Sequence, residues 1–289
     1  MDPLRVLLQG LVDYAGLFPP ASLPMSEAVQ RYYRYRQEEY AFALGHFVIP
    51  VGRLREFEQQ LPDDASGWRL AVLAALPLEP ELDQLTAFHT RTLGVAMADS
   101  IEVKATSEDE VAAIAAQAPA GMNVYVELPL DDRLPGLISR VHSAGLCAKI
   151  RTGGVTPESI PPSWQVARFL SECARRECAF KATAGLHHPV RSHRALTYAP
   201  ESPQNWMHGF LNVFTAAALA QKGIPEGELT ELLEDSQPGS FWRDGDAIGW
   251  RHHRLPAEEL SSTRTSFAAS FGSCSFEEPL AGLREMGWL

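Results

Sequence analysis

From about residue 8 to residue 222, short apolar runs alternate with longer stretches in which apolar residues recur at helical spacing, the pattern of repeated βαβ units. Eight of the runs read as strands, at residues 9–14, 46–51, 69–74, 100–105, 123–128, 147–151, 179–184 and 208–213. Eight is the number that closes a (β/α)8 barrel. Helices are predicted between them over residues 25–40, 52–61, 80–92, 107–118, 134–144 and 162–176. The fourth opens with a hydroxyl residue followed by Glu108, Asp109 and Glu110, which suits a helix N-terminus. The interval RSHRALTYAPESPQNW lacks helical period and holds two prolines, so it is expected to be a long loop over the barrel mouth. The fold class expected is therefore α/β, a (β/α)8 TIM barrel over residues 1–222 with a C-terminal extension, residues 223–289, packed on it. A doubly wound open sheet shares the alternation, but its first turn would carry GxGxxG, and DYAGLFPP carries none.

Parallel strands covered by helices should be almost continuously apolar, and five of these are not. Ile101 and Val103 share one face of their strand, leaving Glu102 and Lys104 on the other; Val124, Val126 and Leu128 likewise oppose Tyr125 and Glu127. Ala148 and Ile150 oppose Lys149 and Arg151, and Phe180 and Ala182 oppose Lys181 and Thr183. The last expected strand sets His208, Phe210 and Asn212 against Gly209, Leu211 and Val213. In a barrel these polar residues face the interior. A buried charge costs several kcal/mol unless paired, so an arc of them points to a site. Cations outnumber carboxylates within it, which suits a carboxylate or phosphate ligand. Thr152, Gly153 and Gly154 follow Arg151, where backbone amides could cradle such an anion.

The whole chain of 289 residues is acidic, with formal net charge −11, and has no basic run. That disfavours a nucleic-acid footprint or a polybasic membrane anchor. No segment approaches the ~20 apolar residues of a membrane span. Cys147, Cys173, Cys178 and Cys274 form no CxxC pair, as expected of reduced thiols in a cytoplasm. Cys274 has no His or Asp partner nearby in sequence, and His252-His253, flanked by Arg251 and Arg254, reads as a surface face. The partner expected is a small anionic metabolite, with room left for a homo-oligomer.

The string Phe180-Lys181-Ala182-Thr183-Ala184-Gly185 resembles the lysine strand of deoxyribose-phosphate aldolase and related class I aldolases. The resemblance implies a Schiff-base lysine at Lys181 with a second lysine nearby; the candidate for that second lysine, Lys149, precedes Lys181 instead of following it. The stretch Gly185 to Pro189 is more loosely similar to the histidine-bearing strand of metal-dependent acyl-CoA lyases, although His187 and His188 are adjacent here.

The leading expectation is a lyase of the aldolase type acting on a small anionic carbonyl compound. Lys181 would be the nucleophile, its ammonium form disfavoured by Lys149 and Arg151. Glu127 would be the acid/base, with Glu102 and Lys104 completing the catalytic set. Arg151, Thr152, Gly153, Gly154, Thr183, His208 and Asn212 would bind substrate, and no cofactor is required. One rival is a divalent-metal lyase or isomerase using Asp13, Glu127 and His187 or His188, in which the lysines neutralise an enolate. The other is a non-catalytic binder of an anionic metabolite.

Overall fold

The computed structural model describes residues 1–289. Eight parallel strands form a closed barrel, and we number them in chain order: β1 Val12–Tyr14, β2 Leu44–Pro50, β3 Trp68–Leu73, β4 Ala96–Lys104, β5 Asn123–Glu127, β6 Cys147–Arg151, β7 Phe180–Thr183 and β8 Ala268–Ser273. Seven fall where apolar runs predict them. β8, which pairs with both β1 and β7 to close the ring, comes from the segment expected to be an appendage.

Residues 208–213 are not a strand. Gly209 precedes the helix Phe210–Gln221, in which every residue from Phe210 to Ala220 is buried. A helix apolar all round presents the same short apolar run as a buried strand, and periodicity alone does not separate them. β8, AASFGS, has one strand-favouring residue, Phe271, among small ones with little strand propensity. Its Phe271 points outward and stacks on Phe210, ring centroids 5.6 Å apart, so the helix mistaken for the eighth strand is what covers the true one.

The six helices expected between strands are present; Glu79–Arg91 has the expected length, the second is reduced to Leu54–Glu58, and the other four are one to five residues shorter. In Met25–Tyr35 the buried positions are Met25, Ala28, Val29, Tyr32 and Tyr35, one stripe at helical spacing, with Glu27 and Arg31 paired at 2.7 Å on its partly exposed flank. Glu108–Gln117 starts as expected: the Ser107 side chain accepts from the Glu110 N–H at 3.2 Å.

Between β7 and β8 lies a long insertion. The segment expected to be a loop is an antiparallel hairpin, Ser192–Ala195 with Gln204–Met207. After the helices Phe210–Gln221 and Glu226–Glu234 comes a three-stranded antiparallel sheet, Phe241–Arg243, Ala247–Trp250 and His253–Pro256, and then the helix Ala257–Ser266. From that helix the buried Arg264 donates to the carbonyls of Leu7 at 2.8 Å and Gln9 at 2.9 Å, and to those of Ala268 and Ala269. One guanidinium thus ties the first helix, Pro3–Leu8, to the start of β8. No helix is long and apolar enough to cross a membrane.

Candidate active site

The inward parity expected of β4, β5, β6 and β7 brings their charged residues into one buried chain of ion pairs. Lys181 Nζ donates to Asp13 Oδ2 at 2.6 Å and to Glu102 Oε1 at 2.5 Å. Lys149 Nζ lies 2.8 Å from Glu102 Oε2 and 2.7 Å from Glu127 Oε2. Arg151 Nε donates to Glu127 Oε1 at 3.1 Å, and Lys104 Nζ stands 3.7 Å from the same oxygen. In the other direction Asp13 Oδ1 meets His46 Nδ1 at 2.9 Å, His46 Nε2 is 2.8 Å from Asp99 Oδ1, and Arg69 Nε donates to Asp99 Oδ2 at 2.7 Å. Ser270 Oγ, from β8, donates to Asp13 Oδ2 at 2.6 Å. Each deeply buried charge therefore has two partners of opposite sign, the condition under which such charges are tolerated.

The protonation states follow from this alternation. Burial alone would raise the Asp13 carboxyl, but Lys181 and His46 outweigh it and hold it far below the usual range. Burial likewise opposes ionisation of Glu102, yet Lys149 and Lys181 bring it down to about 2. For Lys181, burial would favour the neutral amine, whereas Asp13 and Glu102 hold the ammonium well above its ordinary pKa. His46 is pushed up to about 9: burial would lower it, and the Asp13 charge with hydrogen bonds to Asp13 and Asp99 prevails. Counting His46 as charged, the chain holds six cations against four carboxylates. The chain ends in a cation at either side, Arg69 at one end and Arg151 with Lys104 at the other; Arg151 and Lys104 lie at the C-terminal ends of their strands, where barrel enzymes place their sites.

A cavity of about 440 Å³ opens at that end, lined by Glu102, Lys149, Arg151 and Thr183 from the strands and by Leu196 and Met207 from the hairpin. Gly153 and Gly185 pack against each other on one side: a Cβ on Gly153 would come within 2.8 Å of the Gly185 Cα. Ala184, next to them, holds a left-handed φ of 64°, a strained conformation for a residue with a side chain. Its carbonyl accepts from Thr152 Oγ1 at 2.6 Å.

The cavity-lining His187 bonds through Nδ1 to Glu278 Oε2 at 2.6 Å. The Tyr198 hydroxyl donates to Glu278 Oε1 at 3.1 Å and stands 3.7 Å from Cys274 Sγ. Burial would raise Glu278, but His187 outweighs it and lowers the carboxyl; burial raises the Cys274 thiol. A histidine oriented by a carboxylate through one ring nitrogen has the other available for proton transfer.

Of the residues singled out in sequence, Glu102, Lys149, Arg151, Gly153, Gly154, Thr183 and His187 border this cavity. Lys181 lies beneath it, bordering a separate polar cavity of about 260 Å³ on the N-terminal side of the barrel together with His46, Arg69 and Arg264. The neighbours expected to weaken its ammonium, Lys149 and Arg151, are not what its amine touches; two carboxylates are. Glu127 sits behind Lys149 and Arg151, and Lys104 is largely exposed. Thr152 is buried, its hydroxyl used by Thr183 and Ala184 carbonyls. His208 and Asn212 are displaced with their lost strand: His208 Nε2 meets the Pro161 carbonyl at 2.8 Å, and Asn212 donates to the carbonyls of Leu232 and Asp235 and accepts from the Arg191 N–H. Asp13, His187 and His188 do not converge, since Asp13 is taken up by Lys181, His46 and Ser270 while His187 faces Glu278.

Sequence reading passed over His46, Asp99, Ser270 and Glu278. His46 was accessible to the parity argument, sharing its face with the cavity-lining Val48. Asp99 was not, because the pairing of β3 with β4 runs Leu70 to Ala98 and then Ala71 to Ser100, skipping it as a bulge that re-aims its side chain. No family model matches the chain, and no curated protein shows significant similarity to it.

Proposed function

We propose that this protein is a lyase of the aldolase type, acting at the C-terminal cavity on a small carbonyl compound that carries a carboxylate or phosphate, with Lys149 as the amine that meets the carbonyl. The observation that carries the reading is the position of Lys149: it borders the cavity while its Nζ lies between Glu102 and Glu127, and Glu127 is shared with Arg151. Burial would raise the Glu127 carboxyl, and Lys149 and Arg151 keep it low. A substrate anion that draws Arg151 away removes one of those cations, so Glu127 becomes a better acceptor for the Lys149 proton. The neutral amine then adds to the carbonyl and loses water to form an iminium, the electron sink for breaking the neighbouring carbon–carbon bond. His187, oriented by Glu278, takes the proton from the hydroxyl that becomes the departing carbonyl and returns it to the carbon of the enamine left behind, and hydrolysis of the resulting iminium releases the second product and returns the lysine.

The same ion pairs favour a second reading, in which Lys149 stays an ammonium and stabilises an enolate without a covalent bond. Borohydride trapping separates the two. Anionic aldehydes and ketones are first screened by the rise in melting temperature they produce, which Arg151→Met should remove. A compound that binds and is turned over should leave a reduced adduct on Lys149 and none on Lys181. Turnover with no trapped lysine selects the enolate reading. An anion response unchanged in Arg151→Met places the site elsewhere and overturns both.

A further inference from the structure

Outside the cavity, the chain brings two histidines and a glutamate to one point. Glu228 is in the first turn of the helix Glu226–Glu234, and His252 and His253 form the turn into the strand His253–Pro256. Adjacent residues of an extended strand point apart. Here Arg251 takes a left-handed φ of 49°, and the two imidazoles lie side by side, ring centroids 4.1 Å apart. Both Nε2 atoms face the same oxygen, Glu228 Oε1, at 2.7 Å from His253 and 3.9 Å from His252. One potential ligand atom from each residue lies within 4.8 Å of the others.

We infer that Glu228, His252 and His253 form a binding site for a divalent cation of the zinc type. The donor set is two imidazole nitrogens and one carboxylate, which suits zinc and disfavours the all-oxygen preference of magnesium and calcium. Zinc bonds of 2.0–2.1 Å in a tetrahedron put ligand atoms about 3.3 Å apart. The distances to Glu228 straddle that value, so His253 must retreat and His252 advance. His252 is free to do so, with its side chain 77% exposed. His253 is held in orientation by stacking on Trp250, centroids 5.7 Å apart and planes within 3°. The neighbouring cation does not compete for Glu228, because the Arg251 guanidinium is drawn to Glu231 at 3.0 Å and Asp235 at 3.6 Å. Three protein ligands leave a fourth position for water or an outside ligand, and none of the three lines the barrel cavity. The bound ion joins the helix Glu226–Glu234 to the antiparallel sheet, two parts of the insertion that precedes β8.

Calorimetric titration of Zn²⁺ into the full-length, untagged, chelator-treated protein at neutral pH should show one saturable equivalent per chain, and the melting temperature should rise with zinc. Co²⁺ in place of zinc should give the intense visible bands of a four-coordinate site. His252→Ala, at an exposed position, and Glu228→Gln, which keeps the shape of the side chain, should each weaken binding at least about tenfold and abolish the bands while leaving the apo melting temperature nearly unchanged. Wild-type protein that takes up no stoichiometric zinc overturns the proposal, and so does an affinity that both substitutions leave intact.

Discussion

At the residue scale the buried ion-pair chain sets the protein's response to pH. His46 has an ordinary value of 6.5 and a folded one of about 9. Its contribution is therefore complete below about pH 6.5 and is lost as pH rises through 9, a matter of about 3 kcal/mol. Urea denaturation across that range should show stability falling on the alkaline side, and His46→Gln should flatten the slope. Glu102 works in the opposite sense. With its pKa brought from 4.5 to about 2, its contribution is complete above about 4.5 and fades as pH falls toward 2. Lys181 compensates both Asp13 and Glu102; Lys181→Met leaves two buried carboxylates short of a partner. It should cost about 3–5 kcal/mol near pH 7, measured by the same denaturation. A loss under about 1 kcal/mol would mean that Lys181 does not hold the barrel interior together.

At the scale of elements, amphipathic helices were readable because their buried stripe is written at a fixed spacing, as in Met25–Tyr35. The inward faces of β4 to β7 were readable for a similar reason: strand parity places Glu102, Glu127, Lys149 and Lys181 inside, whatever the rest of the chain does. β8 was not readable. Its small residues carry no strand signature, and what makes AASFGS a strand is the gap left between β1 and β7. Arg264 helps to hold it there through the carbonyls of Ala268 and Ala269 at one end and of Leu7 and Gln9 at the other. Arg264→Met keeps most of the volume but leaves these carbonyls without their donor, so it should destabilise the protein by about 3 kcal/mol or more. The loss should appear in hydrogen exchange first at the amides of β8 and the first helix. Uniform loss across the barrel would deny Arg264 this local role.

For the whole molecule, closure by β8 makes the insertion and the barrel inseparable. A chain ending at residue 222 lacks the strand that pairs with both β1 and β7, and with it Ser270 and Glu278. Such a fragment should lack a cooperative thermal transition and be rapidly digested by protease. A fragment that folded cooperatively would mean that seven strands suffice. The insertion ahead of β8 supplies the hairpin residues Leu196 and Met207 that line the cavity, so the chain between β7 and the closing strand contributes to the site as well.

The sequence by itself determined the alternation of seven strands with helices and the inward face of the charged strands β4 to β7, because these depend on spacings of two and 3.6 residues that are local properties of the backbone. Only the tertiary structure decided how those charges pair. Strand parity puts Lys181 and Lys149 on the same inward face, and what separates them is their partners: one faces Asp13 and Glu102 beneath the cavity, the other borders it. The partnership of His187 with Glu278, 91 residues apart, and the choice of residues 268–273 over 208–213 as the closing strand belong to the same class. Each depends on which distant segments meet once the ring closes, and no local spacing encodes that.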